Sequence, residues 1–235
     1  MRQRKRKPRK YPGTFFLDRD GTLNRKPRPG EYVTDPGELI LLPGAAAAVR
    51  RLNDHGRRVV LVTNQRGVAR GIMSGADLAA VHRRLVDLLR DHGAHLDGYY
   101  VCPHEEGACG CRKPRPGLLQ AAARDFGGID PADSVMIGDT ESDVLAGKAA
   151  GCATVLLSGT GPPLLGPTEY TPETTPETIR ETTRENASEI GPDHTPENPL
   201  AHGPAKTAAD LVVPDLRSAV DLLLKFGLLL KGESA

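Results

Sequence analysis

Phe15-Phe16-Leu17-Asp18-Arg19-Asp20-Gly21-Thr22-Leu23-Asn24 decides the reading of this chain. Three apolar residues run into two carboxylates, then a glycine and a threonine. That is the pattern of a buried strand whose carboxyl end carries chemistry. Open α/β sheets bind their ligands just beyond the carboxyl ends of their strands. Alternation along the strand sets Asp18 and Asp20 on one side and predicts that Arg19 points to the other, in a structural role.

Working outward, strand and helix patterns alternate. A strand over 14–18 is followed by a loop over 24–44 that is rich in Pro and Gly and too short for an inserted domain. Ala45–His55 reads as a helix closed by Gly56, and Arg57–Asn64 as a second buried strand. After the glycine-bearing loop Gln65–Gly71, Ser74 and Asp77 have capping-box spacing and open a long helix that ends before Gly93. A third strand, 97–101, leads to Cys102, and Pro116 suits the first turn of a helix to Phe126. Ser134–Gly138 is a fourth strand, Glu141–Ala150 a helix closed by Gly151, and Ala153–Leu157 a fifth strand. This alternation predicts an α/β fold, a doubly wound and mainly parallel sheet covered on both faces.

The pattern breaks at 159–207, where Thr-Pro-Glu recurs among few large apolar residues. Such a composition buries too little surface to offset ordering entropy, so a disordered insertion is expected. Order resumes with an edge strand over 210–213 and a helix over 216–226. The expected organisation is one domain over 14–226, a basic tail over 1–13 and a short tail over 227–235.

Composition bounds the function. The formal net charge of +1 excludes a whole-protein attraction to nucleic acid. The tail Met1–Gly13 is basic, but no aromatic residue interleaves its charges to stack bases, so a solvated extension is expected. No apolar run approaches the ~20 residues that cross a bilayer, and no apolar h-region follows the basic N-terminus. Three of the four cysteines crowd into 102–111, unlike a secreted disulfide framework. A monomer located in the cytoplasm is the expectation.

Four predicted strand ends offer reactive side chains: Asp18 and Asp20, Thr63 and Asn64, Lys113 after the third strand, and Asp139. Parallel strands put these tips on one rim of the sheet. Carboxylates gathered there repel one another, and a hard divalent cation such as magnesium relieves that repulsion while also meeting a substrate phosphate. Lys113 and the Thr63 hydroxyl supply a charge and a donor for phosphoryl oxygens, so the set predicts a phosphoryl-transfer site. Separately, Cys102, His104, Cys109 and Cys111 have the spacing C-x-H-x4-C-x-C, the ligand set of a closed tetrahedral zinc site. With no open position that zinc is structural, and its last ligand directly precedes Arg112 and Lys113. Cys152 reads as a small core residue.

Leu17-Asp18-Arg19-Asp20-Gly21-Thr22, Val62-Thr63-Asn64, Lys113-Pro114 and Gly138-Asp139-Thr140-Glu141-Ser142-Asp143 resemble the four motifs of the haloacid dehalogenase superfamily. The resemblance spans about 14–158 and resumes at 210–226. It implies a Rossmann-like core without a cap domain and catalysis through an aspartyl-phosphate. Asp18 is implied as nucleophile and Asp20 as general acid and then base. Asp18, the Asp20 carbonyl and Asp139 are implied as magnesium ligands, and Thr63 and Lys113 as stabilisers of the transferring group.

Zinc-loop members of that superfamily include heptose-bisphosphate and histidinol-phosphate phosphatases. Asn64-Gln65-Arg66-Gly67-Val68-Ala69-Arg70-Gly71 and Glu31-Tyr32-Val33 resemble the substrate loops of the former. They imply contacts from Glu31, Tyr32, Asn64, Gln65, Arg66 and Arg70. A sugar with two phosphates needs cations beyond Lys113, and Arg70 and Arg112 can supply them. The expected activity is removal of the 7-phosphate of D-glycero-D-manno-heptose 1,7-bisphosphate. Histidinol-phosphate hydrolysis is the alternative, and a nucleic-acid 3′-phosphatase is more distant. An inactive phosphosugar-binding or scaffolding module would be expected if a catalytic aspartate were missing, and none is.

Overall fold

Apolar runs bounded by turn residues become strands, and the amphipathic runs between them become helices. The computed structural model describes residues 13–159 and 209–226. In chain order these form β1 (Thr14–Leu17), α1 (Ala45–Asp54), β2 (Arg58–Asn64), α2 (Gly75–Asp91), β3 (Gly98–Cys102) and α3 (Gly117–Phe126). β4 (Ser134–Gly138), α4 (Glu141–Ala150), β5 (Ala153–Leu157), β6 (Leu211–Val213) and α5 (Leu216–Phe226) complete them.

Every strand pair is parallel, and the order is β3-β2-β1-β4-β5-β6. The chain winds outward from β1 to β3, then returns to build β4 to β6 on the other side. The reversal leaves a crevice beyond the carboxyl ends of β1 and β4, where doubly wound sheets bind their ligands. Leu17 lies in register with Leu61 of β2 and Ile137 of β4. Asp18, Thr63 and Asp139 therefore emerge close together at one rim.

The four inner strands, β1, β2, β4 and β5, are buried on both faces, which is why they read as continuous apolar runs rather than alternating ones. Phe16, Val60, Val62 and Met136 pack against Leu118, Leu119 and Ala122 of α3 and Ala146 of α4. Cys152 belongs to this cluster, in the core as expected. α3 contacts α4, while α1 contacts α2 and α5. The two groups cover opposite faces, as right-handed crossovers on either side of β1 require. Each fully buried large aliphatic side chain contributes roughly 1.5–3 kcal/mol.

Caps fix the helices that carry the site. Ser74 Oγ accepts from Asp77 N at 3.1 Å and the Asp77 carboxylate accepts from Ser74 N at 2.8 Å, so α2 opens with the expected capping box. Between β1 and α1 lie only loop and a single 3-10 turn, Pro36–Glu38. Among the described residues, no helix is long and apolar enough to cross a membrane. The expectations for the tails, but for Gly13, and for the insertion, but for Gly159, fall outside the described residues.

Candidate active site

Lys113 is the hub of the rim. The residue is 3% exposed, and its ammonium donates to Asp18 Oδ1 at 2.7 Å and to the Val62 carbonyl at 2.8 Å. It also pairs with Asp143 Oδ1 at 2.6 Å. Burial alone would lower the ammonium's pKa, but the Asp18 and Asp143 carboxylates outweigh it and hold the pKa above its ordinary value. Burial pushes Asp18 up to about 7 against the pull of Lys113. Asp139 is likewise raised by burial, opposed by Lys26, whose ammonium lies 2.6 Å from Asp139 Oδ2.

Asp18, Asp139 and Asp143 each present one carboxylate oxygen, all within 4.8 Å of one another. Asp139 Oδ1 is buried with no hydrogen-bond partner. Three converging carboxylates, one of which carries a partner-free oxygen, fit a divalent cation such as magnesium. Two glycines make the approach possible. A Cβ on Gly21, at φ +87°, would run into the Asp139 carboxylate, and one on Gly138 into Asp143.

In this cluster, Asp143 and Lys26 are the residues that sequence reasoning missed. Asp143 sits three residues into the first turn of α4, and its Oδ2 accepts from Thr140 N and Oγ1 at 3.1 and 2.6 Å. An ordinary capping box therefore masks a carboxylate whose other oxygen faces Lys113. Lys26 comes from an irregular loop, with no local signal.

The Asp20 carboxylate is not in this cluster; it faces Arg19. The guanidinium donates to Asp20 Oδ1 from Nε at 3.2 Å and to Oδ1 and Oδ2 from Nη2 at 3.1 and 3.0 Å. Asn24 Nδ2 and Gln65 Nε2 complete the shell, each at 2.9 Å. This corrects the expectation that Arg19 points away. β1 ends at Leu17, so strand alternation stops before Arg19, and three amides from Thr22 to Asn24 turn back onto its carbonyl. Thr63 Oγ1 accepts from Gln65 Nε2 at 2.9 Å, which leaves its own proton to donate.

Asn64 and Gln65, expected to touch substrate, commit their amides to the site itself. Asn64 accepts from Lys113 N at 3.1 Å and donates to Lys113 O at 3.0 Å, fixing the lysine's backbone. Arg66 donates to Glu105 at 3.1 Å, to Glu106 at 3.4 Å and to the Tyr32 hydroxyl at 3.5 Å. Arg70 donates to Glu105 at 3.2 Å. These pairs tie the 65–71 loop to the cysteine loop. Glu31 is exposed, and Arg112 Nη1 is buried without a hydrogen-bond partner.

In the cysteine loop the ligand atoms of Cys102, His104, Cys109 and Cys111 all lie within 4.8 Å. Cys102 Sγ is 3.5 Å from Cys109 Sγ, and Cys111 Sγ is 3.4 Å from His104 Nδ1. A tetrahedron with Zn–S bonds of ~2.3 Å has edges of ~3.8 Å, so the cluster has the size zinc needs. The cysteines are free rather than bridged. The hydrogen bond from Cys111 pushes the Cys109 thiol down to about 6, while burial and its neighbours push Cys111 up to about 12. Without a cation the cluster favours one thiolate; a metal that takes several thiolates removes that conflict.

A parallel sheet with paired aspartates, a lysine and a carboxylate cluster on one rim defines a haloacid-dehalogenase-like phosphomonoester hydrolase. The family model for HAD-hydrolase-like proteins matches residues 110–182. The D-glycero-alpha-D-manno-heptose-1,7-bisphosphate 7-phosphatase of Mycobacterium bovis is 42% identical over 151 residues, which are 62% of this chain and 79% of that protein. The D-glycero-beta-D-manno-heptose-1,7-bisphosphate 7-phosphatase of Rhodopseudomonas palustris is 44% identical over 144 residues, 58% of this chain and 78% of that one. The crystal structure of the D,D-heptose 1,7-bisphosphate phosphatase of B. bronchiseptica, complexed with magnesium and phosphate, superposes with a TM-score of 0.67. It is 31% identical and covers 90% of this chain and 98% of its own. The chain belongs to the heptose-bisphosphate phosphatase family of the HAD-like hydrolases.

Proposed function

We propose that the chain removes the 7-phosphate of D-glycero-D-manno-heptose 1,7-bisphosphate, leaving the sugar's 1-phosphate. The observation that carries the chemistry is the separation of the two aspartates. Asp18 lies against Lys113 at 2.7 Å within a carboxylate cluster, while Asp20 is enclosed by Arg19, Asn24 and Gln65. On this reading one meets phosphorus and the other moves a proton.

In the first half-reaction an Asp18 oxygen attacks phosphorus, the bond from phosphorus to the sugar oxygen breaks, and that oxygen takes a proton from Asp20. In the second, water gives a proton to Asp20 and attacks the phosphorus of the aspartyl-phosphate. The bond to Asp18 then breaks and inorganic phosphate leaves. Lys113 and the Thr63 hydroxyl hold the non-bridging oxygens through both steps. Asp18, the Asp20 carbonyl, Asp139 and Asp143 would hold magnesium, which supplies positive charge to the carboxylates and the phosphoryl oxygens. Cys102, His104, Cys109 and Cys111 would hold zinc as a structural clamp on the segment that leads to Lys113.

The substrate assignment is supported by relatives more than 40% identical that carry this activity in their names. The unsatisfied Arg112 donor next to Lys113 in the chain, and the cations Arg66 and Arg70, suit an ester with two phosphates. Steady-state kcat/KM for the alpha and beta anomers of the bisphosphate, beside histidinol phosphate, tests it. A preference of about 100-fold or more for one heptose anomer is expected, the discrimination that polar contacts of ~3 kcal/mol provide. Equal, weak turnover of all three would overturn the substrate. Full activity in Asp18→Asn would overturn the mechanism.

A further inference from the structure

Among the described residues Arg19 is the bulkiest of the wholly buried side chains, 0% exposed. A guanidinium has five donors, no acceptor and no accessible neutral form, so its partners define what it does. Nε and Nη2 fork onto Asp20 at 3.0 to 3.2 Å, and Nη2 also reaches Gln65 Oε1 at 3.2 Å. Nη1 lies 3.3 Å from His82 Nε2.

Because arginine can only donate, His82 Nε2 must accept, which makes the imidazole neutral with its proton on Nδ1. His82 is 4% exposed on the inner face of α2, with its ring centroid 5.5 Å from that of Tyr99. The guanidinium is thus tethered at three points: the turn after β1, the end of β2 and a helix behind both. Simple neutralisation of Asp20 would not need the third tether. His82 carries no charge, and among the described residues its hydrogen bond is to Arg19.

We propose that Arg19, braced by His82, is a positioning residue that fixes the Asp20 carboxylate for proton transfer to the departing sugar oxygen. The inference rests on Asp20 being the proton donor. Proton transfer needs heavy atoms within ~3 Å, and a misplacement of ~1 Å costs on the order of 100-fold. Loss of His82 frees Nη1, and the fork can then rotate about the Arg19 side chain while the charge beside Asp20 stays the same.

The test compares two esters in the magnesium- and zinc-loaded enzyme. A sugar phosphate leaves as an alkoxide and depends on the acid, whereas p-nitrophenyl phosphate leaves as a stable phenolate and does not. His82→Leu removes the acceptor at similar volume, and Arg19→Lys keeps the charge but cannot span three partners. Both should lower kcat on the sugar ester by roughly 10- to 100-fold, leave KM unchanged, and alter kcat on p-nitrophenyl phosphate by less than about threefold. His82→Gln, which can offer an amide oxygen to Nη1, should restore most of the loss. Equal losses on both esters, or none on either, would overturn the proposal. Asp20→Asn serves as calibration. If it discriminates between the esters and the Arg19 and His82 variants do not, positioning fails alone; if it does not discriminate, the acid assignment fails and takes the inference with it.

Discussion

Removing the Lys113 ammonium should strand two carboxylates at once, and the size of the effect follows from burial. The Lys113 and Asp143 side chains are 2% and 1% exposed at 2.6 Å, and Asp18 is 12% exposed at 2.7 Å. Removing one member of a buried ion pair costs about 3–5 kcal/mol, because the partner's charge stays behind without compensation. Lys113→Met keeps the aliphatic stem and deletes only the charge, so that cost is expected in urea unfolding without added magnesium or chelator. Asp143→Asn removes the charge of one stranded carboxylate while its amide oxygen still accepts from Thr140. The double variant should therefore exceed the sum of the single variants in stability by about 1–3 kcal/mol. Activity should behave differently. Lys113→Met loses about 100- to 1,000-fold in kcat, as removal of a donor from a developing anion does, and Asp143→Asn restores none of it. Additive stability losses, within about 0.5 kcal/mol, would refute the Lys113–Asp143 pairing. Near-normal kcat in Lys113→Met would refute the lysine's role.

Three further outcomes are expected. Cys111→Ser should lower zinc content, measured by atomic emission, together with kcat, because the loop before Lys113 loses its clamp; unchanged metal content would remove the site. Glu105→Gln should leave unfolding within about 1 kcal/mol, since its pairs with Arg66 and Arg70 are partly exposed, and change KM by no more than about fivefold with kcat constant. His82, lowered from 6.5 to about 4 chiefly by burial and then by Arg19, should set an acid-side dependence of stability. Above pH 6.5 both states are neutral and the contribution vanishes. As pH falls toward 4 the unfolded chain binds a proton that the folded chain refuses, a loss approaching roughly 3 kcal/mol. His82→Gln should flatten urea-unfolding stability across that window, and an identical slope in both proteins would refute the buried neutral histidine.

The fold was legible because its physics is local. Apolar runs such as Val59–Val62 and Val135–Ile137 could only be buried strands, and Ser74, Gly56 and Gly151 marked helix ends through cap chemistry. The four residues of the cysteine loop were legible by spacing alone, since all lie within ten positions. What stayed hidden depends on tertiary position. Asp143 looks like a cap residue until β4 and the loop at Lys113 are set side by side. His82 follows the apolar stripe of α2 with Val81 and Leu85, where a histidine reads as core or surface. Arg19 was misjudged because a period of two was carried two residues past the end of the strand.

Four carboxylates share one rim, and their differences come from which cation each meets. Asp18 and Asp143 divide Lys113, Asp139 meets Lys26, and Asp20 alone meets Arg19. Lys113 and Arg19 are wholly or nearly buried, whereas Lys26 is 53% exposed. An exposed lysine gives up a carboxylate easily, because solvent screens the pair to within about 1 kcal/mol. Asp139 is thus the carboxylate most easily surrendered to a metal, and its partner-free Oδ1 points to the same assignment. Asp20, gripped by a cation that cannot leave or lose its proton, is the least available for metal binding through its side chain. The same division keeps the proposed proton carrier apart from the charges that handle phosphorus. Lys26→Met should then tighten magnesium binding, measured by calorimetry on the folded protein, by up to about fivefold, the factor that ~1 kcal/mol commands. Weaker binding in that variant would mean that Lys26 assists the metal site rather than competing for Asp139.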